Sequence, residues 1–365
     1  MSKHAVAEWA FAAALAGLPW MAPDRLRSLL QRRAPSECWH GLASGRIGEV
    51  PPSWVRRARA VDVAAVEVAH RSAGVTVSVL GEPGYPVALS SDHEAPVVLF
   101  SVGALDRLGP PAVAIVGTRR CTHYGREVAA ALGRALAAAG VSVVSGLALG
   151  VDGAAHEGAL GAGGAPPVGV VASGLDVVYP RRHRSLWDRV AAAGVLLSEA
   201  PLGTRPEPWR FPLRNRVIAA LADVVVVVES HAAGGSLHTV AAAATRDRPV
   251  LAVPGAVSSP ASAGTNALLA DGCGPARDAA DVLVALGLEG VAPVPTGAPA
   301  DGRRARPSGV DAAVLDAVGW SPTTVDEVLA RSGLAPPRAT AALVRLEAAG
   351  WVHGDAGVWE RKGVP

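Results

Sequence analysis

The 365-residue chain has little lysine, little cysteine and no long uninterrupted apolar run. Only Lys3 and Lys362 are lysines, so arginine supplies nearly all of the positive charge. The three cysteines, Cys38, Cys121 and Cys273, are odd in number and widely spaced. This spacing argues against a disulfide framework or a metal knuckle and favours a reducing, cytoplasmic compartment. No apolar stretch reaches the roughly 18 residues of a membrane-spanning helix, so we expect no membrane partner.

Motifs of several nucleotide-dependent enzymes are missing as well. The chain has no Gly-Lys-Ser or Gly-Lys-Thr of a Walker A loop, and its first strand-to-helix turn is not a G-x-G-x-x-G fingerprint. The second predicted strand ends at Ser145-Gly146 and lacks the acidic residue that would hold a ribose hydroxyl. We therefore expect no bound cofactor. The candidate metal ligands and the candidate serine considered below likewise lead us to expect no metal site and no catalytic residue.

The composition is that of a folded, multi-domain protein. Half of the residues are hydrophobic, and 41 glycines with 29 prolines predict many turns and a loose linker. The net charge of +2 by itself indicates no partner. Residues 1–75 show apolar residues at helical spacing, punctuated by prolines, and predict a small helical N-terminal domain.

Residues 76–289 alternate short β-branched runs with alanine-rich helical segments. This rhythm predicts an α/β domain with an extended Rossmann-like, doubly wound and mostly parallel sheet. The predicted strands are Ala112–Val116, Val141–Ser145, Val168–Ala172, Val195–Ser198, Val224–Glu229 and Val250–Val253. Because ligands bind at the carboxyl ends of strands in such sheets, functional residues are expected just after each run.

The remaining chain predicts a linker over residues 290–308 and a third domain over residues 309–365. Helices are expected at Val310–Val318, Thr323–Arg331 and Arg338–Ala349, followed by a hairpin around Gly354-Asp355. Three helices and a β-hairpin are typical of a winged helix.

The first strand-to-helix turn, after Val116, has the features of an anion site. Backbone N–H groups at Gly117, Thr118 and Arg119, close to a helix N-terminus, favour phosphate. Arg119 and Arg120 add bidentate donors suited to the same group. The alternative is a tight structural turn with solvated arginines.

The second turn contains Ser145 and Gly146 and leads to Asp152 and His156 on the next helix. Glycine lets the backbone come close to a ligand or to another segment. Asp152 and His156 lack a third ligand nearby, so we favour helix capping and packing over a metal site.

A later loop, residues 205–216, interleaves aromatic and basic side chains. Phe211 suits base stacking, and Arg214, Asn215 and Arg216 suit phosphate, although Trp209 is equally consistent with a buried anchor. After the fifth predicted strand, Gly235 and Ser236 precede another helix. A catalytic serine there is disfavoured because the G-x-S-x-G elbow is absent, so we expect Ser236 to cap the helix and contact phosphate.

The positive charge is concentrated in three windows, residues 117–126, 179–189 and 205–216. They contain eleven arginines against two acidic residues, a net charge of +9, which leaves −7 for the rest of a +2 chain. All three windows follow predicted strands, so they are expected to converge on one edge of the sheet as an electrostatic footprint for a polyanion.

Seven motifs in order give a resemblance to the DprA/Smf family of DNA-processing proteins over about residues 80–285. They are AIVGTRR, VVSGLALGVDGAAHEGAL, ASGLDVVYP, SEAPLG, FPLRNRVIAAL, VVVVESHAAGGSLHT and AVPG with SAGTN. The match departs from the family pattern at Gly234-Gly235-Ser236, where a serine usually replaces the first glycine, and at His238, where relatives have an aliphatic residue.

The resemblance implies a non-enzymatic protein that binds single-stranded DNA and dimerises. It implies a role in natural transformation, in which incoming DNA is protected from nucleases and the RecA recombinase is loaded. The family's phosphate-binding arginine corresponds to Arg119, its basic residue after Tyr-Pro to Arg181, and its F-P-x-R-N-R motif to Phe211, Arg214 and Arg216.

Two alternatives from other functional classes stay open at this point. One is a nucleotide or phosphoribosyl hydrolase on a related fold, for which the P-G-G-x-G-T-x-x-E run is missing and only Glu199 and Glu229 are candidate acids. The other is a nucleotide-sensing regulator that binds DNA through the winged helix. That domain is poorly basic, so protein contact or weak duplex contact suits it as well as sequence recognition.

Overall fold

A computed structural model describes residues 5–109, 111–289, 307–319, 322–355 and 357–362. Most of the predicted linker, residues 290–306, lies outside the described residues. Among the helices in the described ranges, none combines the length and apolarity that crossing a bilayer requires.

The N-terminal segment forms five short helices, most of which begin at a proline-marked boundary. Proline in the first helical turn loses no hydrogen bond, because that N–H has no partner within the helix. The helices are α1 Glu8–Ala16, α2 Pro23–Leu30, α3 Pro35–Ser44, α4 Pro52–Ala60 and α5 Val63–Ser72. Helix α1 is buried along Ala10–Ala16 and packs in one hydrophobic core with Phe100 and Leu196 of the sheet. The N-terminal helices are therefore packed firmly against the central domain.

The central domain is built on a nine-stranded sheet. Its strands are β1 Thr76–Val79, β2 Val98–Gly103, β3 Ala112–Val116, β4 Ser142–Ser145, β5 Val168–Val171, β6 Val195–Ser198, β7 Val224–Val227, β8 Val250–Ala252 and β9 Gly274–Pro275. Their spatial order is β1-β2-β6-β5-β4-β3-β7-β8-β9. The pairs β1–β2 and β2–β6 are antiparallel and all others are parallel. This confirms the predicted Rossmann-like, mostly parallel sheet.

Strands β1 and β2 at one end of the sheet and β9 at the other were not predicted from the sequence. Strands β1 and β2 pair antiparallel to each other and therefore lack the strand–helix alternation that identified the other six. Strand β9 has only two residues, Gly274 and Pro275, neither of which favours a strand.

Helices cover both faces of the sheet. They are α6 Val87–Ser90, α7 His123–Ala138, α8 Val151–Ala162, α9 Arg184–Ala193, α10 Arg210–Leu221, α11 Leu237–Ala244, α12 Ala263–Ala270 and α13 Ala279–Ala285. Helices α7, α8 and α13 share one apolar core, and α10 and α11 share another with the opposite face. An added Cβ on Gly158 of α8 would lie 2.0 Å from the Ala130 carbonyl oxygen, so glycine permits the close packing of α7 and α8.

The strand order reverses at β3, which has β4 on one side and β7 on the other. Ligands in open α/β sheets bind beyond the carboxyl ends of the strands at such a switch point. The turns after β3, β4 and β7 are therefore placed around one crevice.

The C-terminal unit is a winged helix with its own hydrophobic core, as predicted. Its elements are α14 Gly309–Val318, β10 Thr323–Thr324, α15 Val325–Ser332, α16 Pro336–Ala348, β11 Val352–Asp355 and β12 Val358–Arg361. Strand β12 lies between β10 and β11. Strand β11 continues to Asp355, so the turn of the hairpin comes slightly later than Gly354-Asp355.

Candidate nucleic-acid interface

A cleft of about 860 Å³ opens at the carboxyl ends of the central strands. Its walls come from the turn after β3, the loop after β4, the loop that leads into α10 and the loop between β7 and α11. Nine of the predicted site residues line it: Gly117, Thr118, Arg119, Arg120, Phe211, Arg214, Asn215, Gly235 and Ser236. Gly146 lines a smaller adjoining pocket together with Arg119 and Phe211. The fold thus brings together residues almost 120 positions apart in sequence.

Arg119, Phe211 and Tyr179 form the exposed wall of this cleft. The Arg119 guanidinium carbon lies 4.5 Å from the centre of the Phe211 ring, in cation–π geometry. The Tyr179 ring centre is 5.7 Å from that of Phe211, and Tyr179 is 42% exposed. Arg119 and Arg120 are both exposed. A positive charge beside two accessible rings can contact a phosphate and the face of a planar base at the same time.

The backbone of the turn after β3 is less available than the sequence predicts. The Thr118 amide donates to the Glu229 carbonyl oxygen at 2.8 Å, which extends the β3–β7 pairing. At the start of α7, the Thr122 amide and hydroxyl donate to the Glu229 carboxylate at 2.9 and 2.6 Å. The His123 amide donates to Glu360 at 3.0 Å. Carboxylates of the chain itself thus occupy the first amides of α7, and the Thr118 amide is engaged within the sheet. Phosphate binding by the amides of Gly117 and Arg119 stays a prediction.

Arg214 forms the floor of the cleft and not its rim. It is only 7% exposed, and its guanidinium donates to the carbonyl oxygens of Gly146, at 2.7 Å, and Val170. An added Cβ on Gly146 would lie 2.4 Å from this guanidinium, which explains the glycine. Burial lowers the pKa of Arg214 to about 10, so it stays charged at neutral pH. Arg214 therefore supports the cleft wall and contributes a mostly shielded positive charge.

Asp152 and His156 are buried beside Arg214 on the first turns of α8. The Asp152 carboxylate accepts the amides of Gly146 and Ala148, at 3.1 and 3.4 Å, so it holds the loop before the helix. Burial raises the pKa of Asp152, while the positive charge of Arg214 acts in the opposite direction. Burial lowers the pKa of His156 to about 4, which keeps it neutral. Over the part of the chain that the structure describes, no three His, Cys, Asp or Glu side chains form a metal-binding group.

Arg216 contradicts its predicted phosphate contact. It is 8% exposed, and its guanidinium donates to the Glu199 carboxylate at 2.5 Å and to the Glu94 carbonyl oxygen. It is not among the residues that line the cleft. Helix α10 directs the Arg216 side chain into the protein, where the largely buried Glu199 carboxylate compensates its charge.

Ser145 and Ser236 also have internal roles. The Ser145 hydroxyl is fully buried and donates to the Ile115 carbonyl oxygen at 2.6 Å, tying β4 to β3. The Ser236 hydroxyl donates to that of Ser230 at 2.9 Å and does not cap α11, contrary to the prediction. The Asn215 amide donates to the Gly235 carbonyl oxygen at 3.3 Å, so it joins α10 to the turn before α11.

Arg181 lies outside the lining of the cleft but close to its rim. It is exposed and begins a short 3-10 helix, two residues after Tyr179. Of the eleven arginines in the three basic windows, Arg189, Arg210 and Arg216 form ion pairs with Glu157, Glu207 and Glu199. The positive footprint offered to a ligand is therefore smaller than the formal +9.

Tyr179 and His231 also line the cleft, although neither was predicted as a site residue from the sequence. The position of Tyr179 could have indicated its role, because it follows a strand and turn and precedes Pro180, Arg181 and Arg182. Trp209 lies instead against a small cavity that Met21 and Leu26 of the N-terminal domain also line. Its indole N–H donates to Glu207 at 2.5 Å. These contacts favour the anchor interpretation of Trp209.

Comparison with protein-family models identifies two matches in this chain. Residues 76–287 match the model of DNA recombination-mediator protein A, and residues 298–357 match the DprA winged helix domain. A DprA relative in Mycobacterium tuberculosis is 42% identical over 272 residues, which are 73% of this chain and 68% of the relative.

Two solved structures resemble the fold. DNA processing protein A from Streptococcus pneumoniae superposes with a TM-score of 0.65 at 30% identity, covering 76% of this chain and 98% of the other. DNA processing protein A from Helicobacter pylori, described for its single-stranded DNA binding mode, gives a TM-score of 0.52 at 32% identity, covering 58% and 95%.

Proposed function

The chain belongs to the DprA family of DNA-processing proteins, and from that premise we propose that it binds single-stranded DNA in the cleft beyond β3, β5 and β7. The observation that supports this most directly is the exposed Arg119 guanidinium 4.5 Å from the Phe211 ring, beside Tyr179. The Helicobacter pylori relative, described for its single-stranded DNA binding mode, supports the same ligand class.

The phosphates are assigned to the exposed arginines. Arg119 and Arg120 lie on the turn after β3, and Arg181 lies beyond the Tyr179 rim. Each phosphate contact releases counterions, so affinity should fall steeply with salt. The buried Arg214 holds the wall that carries Phe211 and strengthens the local positive potential.

The bases are assigned to Phe211 and Tyr179. An unpaired base can lie flat against an exposed ring, whereas the bases of a duplex are already stacked on one another. Stacking and phosphate contact carry little sequence information. Binding should therefore favour single strands over duplex and depend weakly on sequence.

The hydrolase alternative is disfavoured by the use of the candidate acids. Glu199 forms a buried ion pair with Arg216, and Glu229 accepts the amide and hydroxyl of Thr122. Both carboxylates are thus engaged with structural partners, Glu199 with α10 and Glu229 with the residue before α7. We propose a non-enzymatic role.

In the cell, we propose that the protein acts on DNA taken up during natural transformation. It would protect the incoming strand from nucleases, help to load the RecA recombinase and act as a homodimer in the cytoplasm. These expectations come from family membership, and the cleft supplies the strand-binding step on which they depend.

Fluorescence anisotropy of labelled oligonucleotides tests this function. Wild-type protein should bind a single strand at least about tenfold more tightly than the matching duplex at low salt, and lose affinity as salt rises. Arg119→Ala should weaken single-strand binding by about tenfold or more, because it removes a phosphate donor and the partner of Phe211.

Arg134→Ala is the matched control. Arg134 is an exposed arginine on α7, away from the residues that line the cleft. Arg134→Ala changes the net charge by the same amount as Arg119→Ala and should leave the affinity for the single strand almost unchanged. Equal binding of single strand and duplex, or full affinity in Arg119→Ala, contradicts the proposal.

A further inference from the structure

Two neighbouring side chains of the wing, the hairpin β11–β12, contact the central domain. His353 and Glu360 are cross-strand partners and so project from the same face of the hairpin. Both contact His123, the first residue of α7. The rings of His353 and His123 are stacked, with centres 4.4 Å apart and planes 28° apart. The Glu360 carboxylate accepts the His123 backbone N–H at 3.0 Å.

This contact brings negative charge to the beginning of α7. Glu229 accepts the Thr122 amide and hydroxyl just beneath the first turn. The Glu127 carboxylate accepts a hydrogen bond from the His123 ring at 2.9 Å, and a carboxylate oxygen of Glu347 lies 3.7 Å from a ring nitrogen of His353. With Glu360, four carboxylates surround a helix start that lies only three residues beyond Arg120.

Two arginines of the winged helix are engaged within their own domain. Arg345 of α16 pairs with Asp311 at 2.5 Å, and Arg361 of β12 donates to the Leu315 carbonyl oxygen and to Asp316. The face that the wing presents to α7 is therefore acidic and aromatic. Such a face suits a helix N-terminus, whose amides and dipole attract an anion, and does not suit a phosphate backbone.

We propose that the docked wing opposes strand binding at the neighbouring turn of residues 117–120. Glu360 takes the position that an anion would occupy at the start of α7, and its charge repels a phosphate held by Arg119 or Arg120. A bound strand and a docked wing then weaken each other, since coupling between two binding events is reciprocal. This inference rests on the proposed function, because it concerns regulation of the same cleft.

Three variants of the full chain separate the charge of the wing from its contact. Glu360→Gln keeps an oxygen that accepts the His123 amide but removes the negative charge. The double variant His353→Ala, Glu360→Ala removes both contacts. Asp355→Asn, an exposed wing residue in the same strand as His353, makes the same change in net charge away from His123.

Anisotropy with a labelled single strand measures the effect. Glu360→Gln and the double variant should bind about fivefold more tightly than wild type at low salt, and Asp355→Asn should bind as wild type does. The gain should shrink at about 200 mM salt, because exposed charges are screened there. If Glu360→Gln and the double variant both bind like Asp355→Asn, the proposal is overturned.

A distance measurement tests the movement of the wing without relying on affinity. A donor and an acceptor dye are placed by non-natural amino acids at the exposed Arg134 of α7 and Arg338 of α16. Single-stranded DNA should change the transfer efficiency of the wild type toward that of the DNA-free double variant. An efficiency that stays constant on saturation with DNA contradicts the proposal.

The two proposals fail in different ways. If wild-type protein does not bind the single strand and no variant does, the proposed function fails. If wild-type protein binds the strand, Arg119→Ala abolishes binding and the wing variants change nothing, only the regulatory role of the wing fails.

Discussion

The turn of residues 117–120 and helix α10 both carry arginines that the sequence predicts to bind phosphate, but only the turn presents its arginines to solvent. Arg119 and Arg120 are exposed, whereas Arg214 and Arg216 are 7% and 8% exposed. The buried pair is bound by carbonyl oxygens and by Glu199, while Arg119 faces an aromatic ring in the open cleft. Identical side chains thus serve the scaffold in one region and are available to the proposed ligand in the other, and burial distinguishes the two positions.

The largest expected effect concerns stability and comes from α10. Arg216→Met should lower the free energy of unfolding by about 2–4 kcal/mol, because Glu199, whose side chain is only 20% exposed, then remains without its partner. Adding Glu199→Gln should recover much of this loss. Urea denaturation of the single and double variants measures both changes. A loss below about 1 kcal/mol would show that Arg216 is not part of the scaffold.

The same variant should depend on pH in a defined direction. Burial raises the pKa of Glu199 in the folded protein, and loss of Arg216 should raise it further. A carboxyl with a raised folded-state pKa destabilises the fold as pH rises above its unfolded value. Arg216→Met should therefore lose less stability at pH 5 than at pH 8. An equal loss at both values would indicate that Glu199 is not the group responsible.

A smaller loss is expected where the two regions meet. Gly146→Ala should cost about 1–3 kcal/mol, since its Cβ would displace the Arg214 guanidinium from two carbonyl oxygens. Gly161→Ala is the control. Gly161 is an exposed residue near the end of α8 with open space around it, so this change should be neutral or stabilising by up to about 1 kcal/mol. Thermal unfolding of both variants measures the difference, and similar melting temperatures would contradict the assigned role of Gly146.

Phe211 should affect binding with little effect on stability. Phe211→Ala removes a stacking surface and should weaken single-strand binding by about fivefold to tenfold, near 1 kcal/mol per base. Phe211→Tyr keeps the ring and should retain most of the affinity. Anisotropy with a short pyrimidine strand measures both. A Phe211→Ala protein with unchanged affinity would remove stacking from the proposed interface.

The smallest effect is expected at Arg181, beyond the rim. Arg181→Ala should reduce affinity about threefold and reduce the slope of log affinity against log salt by about one. Arg181→Lys keeps the charge and should restore the slope. If the slope does not change in Arg181→Ala, this arginine does not contact a phosphate.

Much of the architecture follows from local pattern. The six apolar runs that end in small polar residues became β3 to β8, because a strand buried on both faces must be apolar at successive positions. Strands β1 and β2 were not predicted, since an antiparallel pair has no crossover helix to mark it. Arg119, Arg120 and Phe211 line the cleft, as expected from the principle that ligands bind beyond the carboxyl ends of the strands.

The three basic windows show that local pattern does not predict which arginines are free to contact a ligand. Adding formal charges treats every arginine as equivalent, yet Arg189 and Arg216 are paired with Glu157 and Glu199, which lie outside the three basic windows. The partner of Arg216, Glu199, precedes it by 17 residues along an irregular loop, and no local rule links the two. Tyr179 was not predicted as a cleft residue for a similar reason, because the ring that it contacts, Phe211, is distant in sequence.

The sequence by itself determined the class of the sheet, the winged helix, the family and the strand ends at which a ligand would bind. These features depend on hydrophobic periodicity and on short motifs, which are properties of neighbouring residues. Only the tertiary structure decided which arginines face solvent, that Glu229 and Glu360 occupy the start of α7, and that the wing contacts His123. Those outcomes depend on solvent exclusion and on contacts between distant segments, and both exist only after the chain has folded.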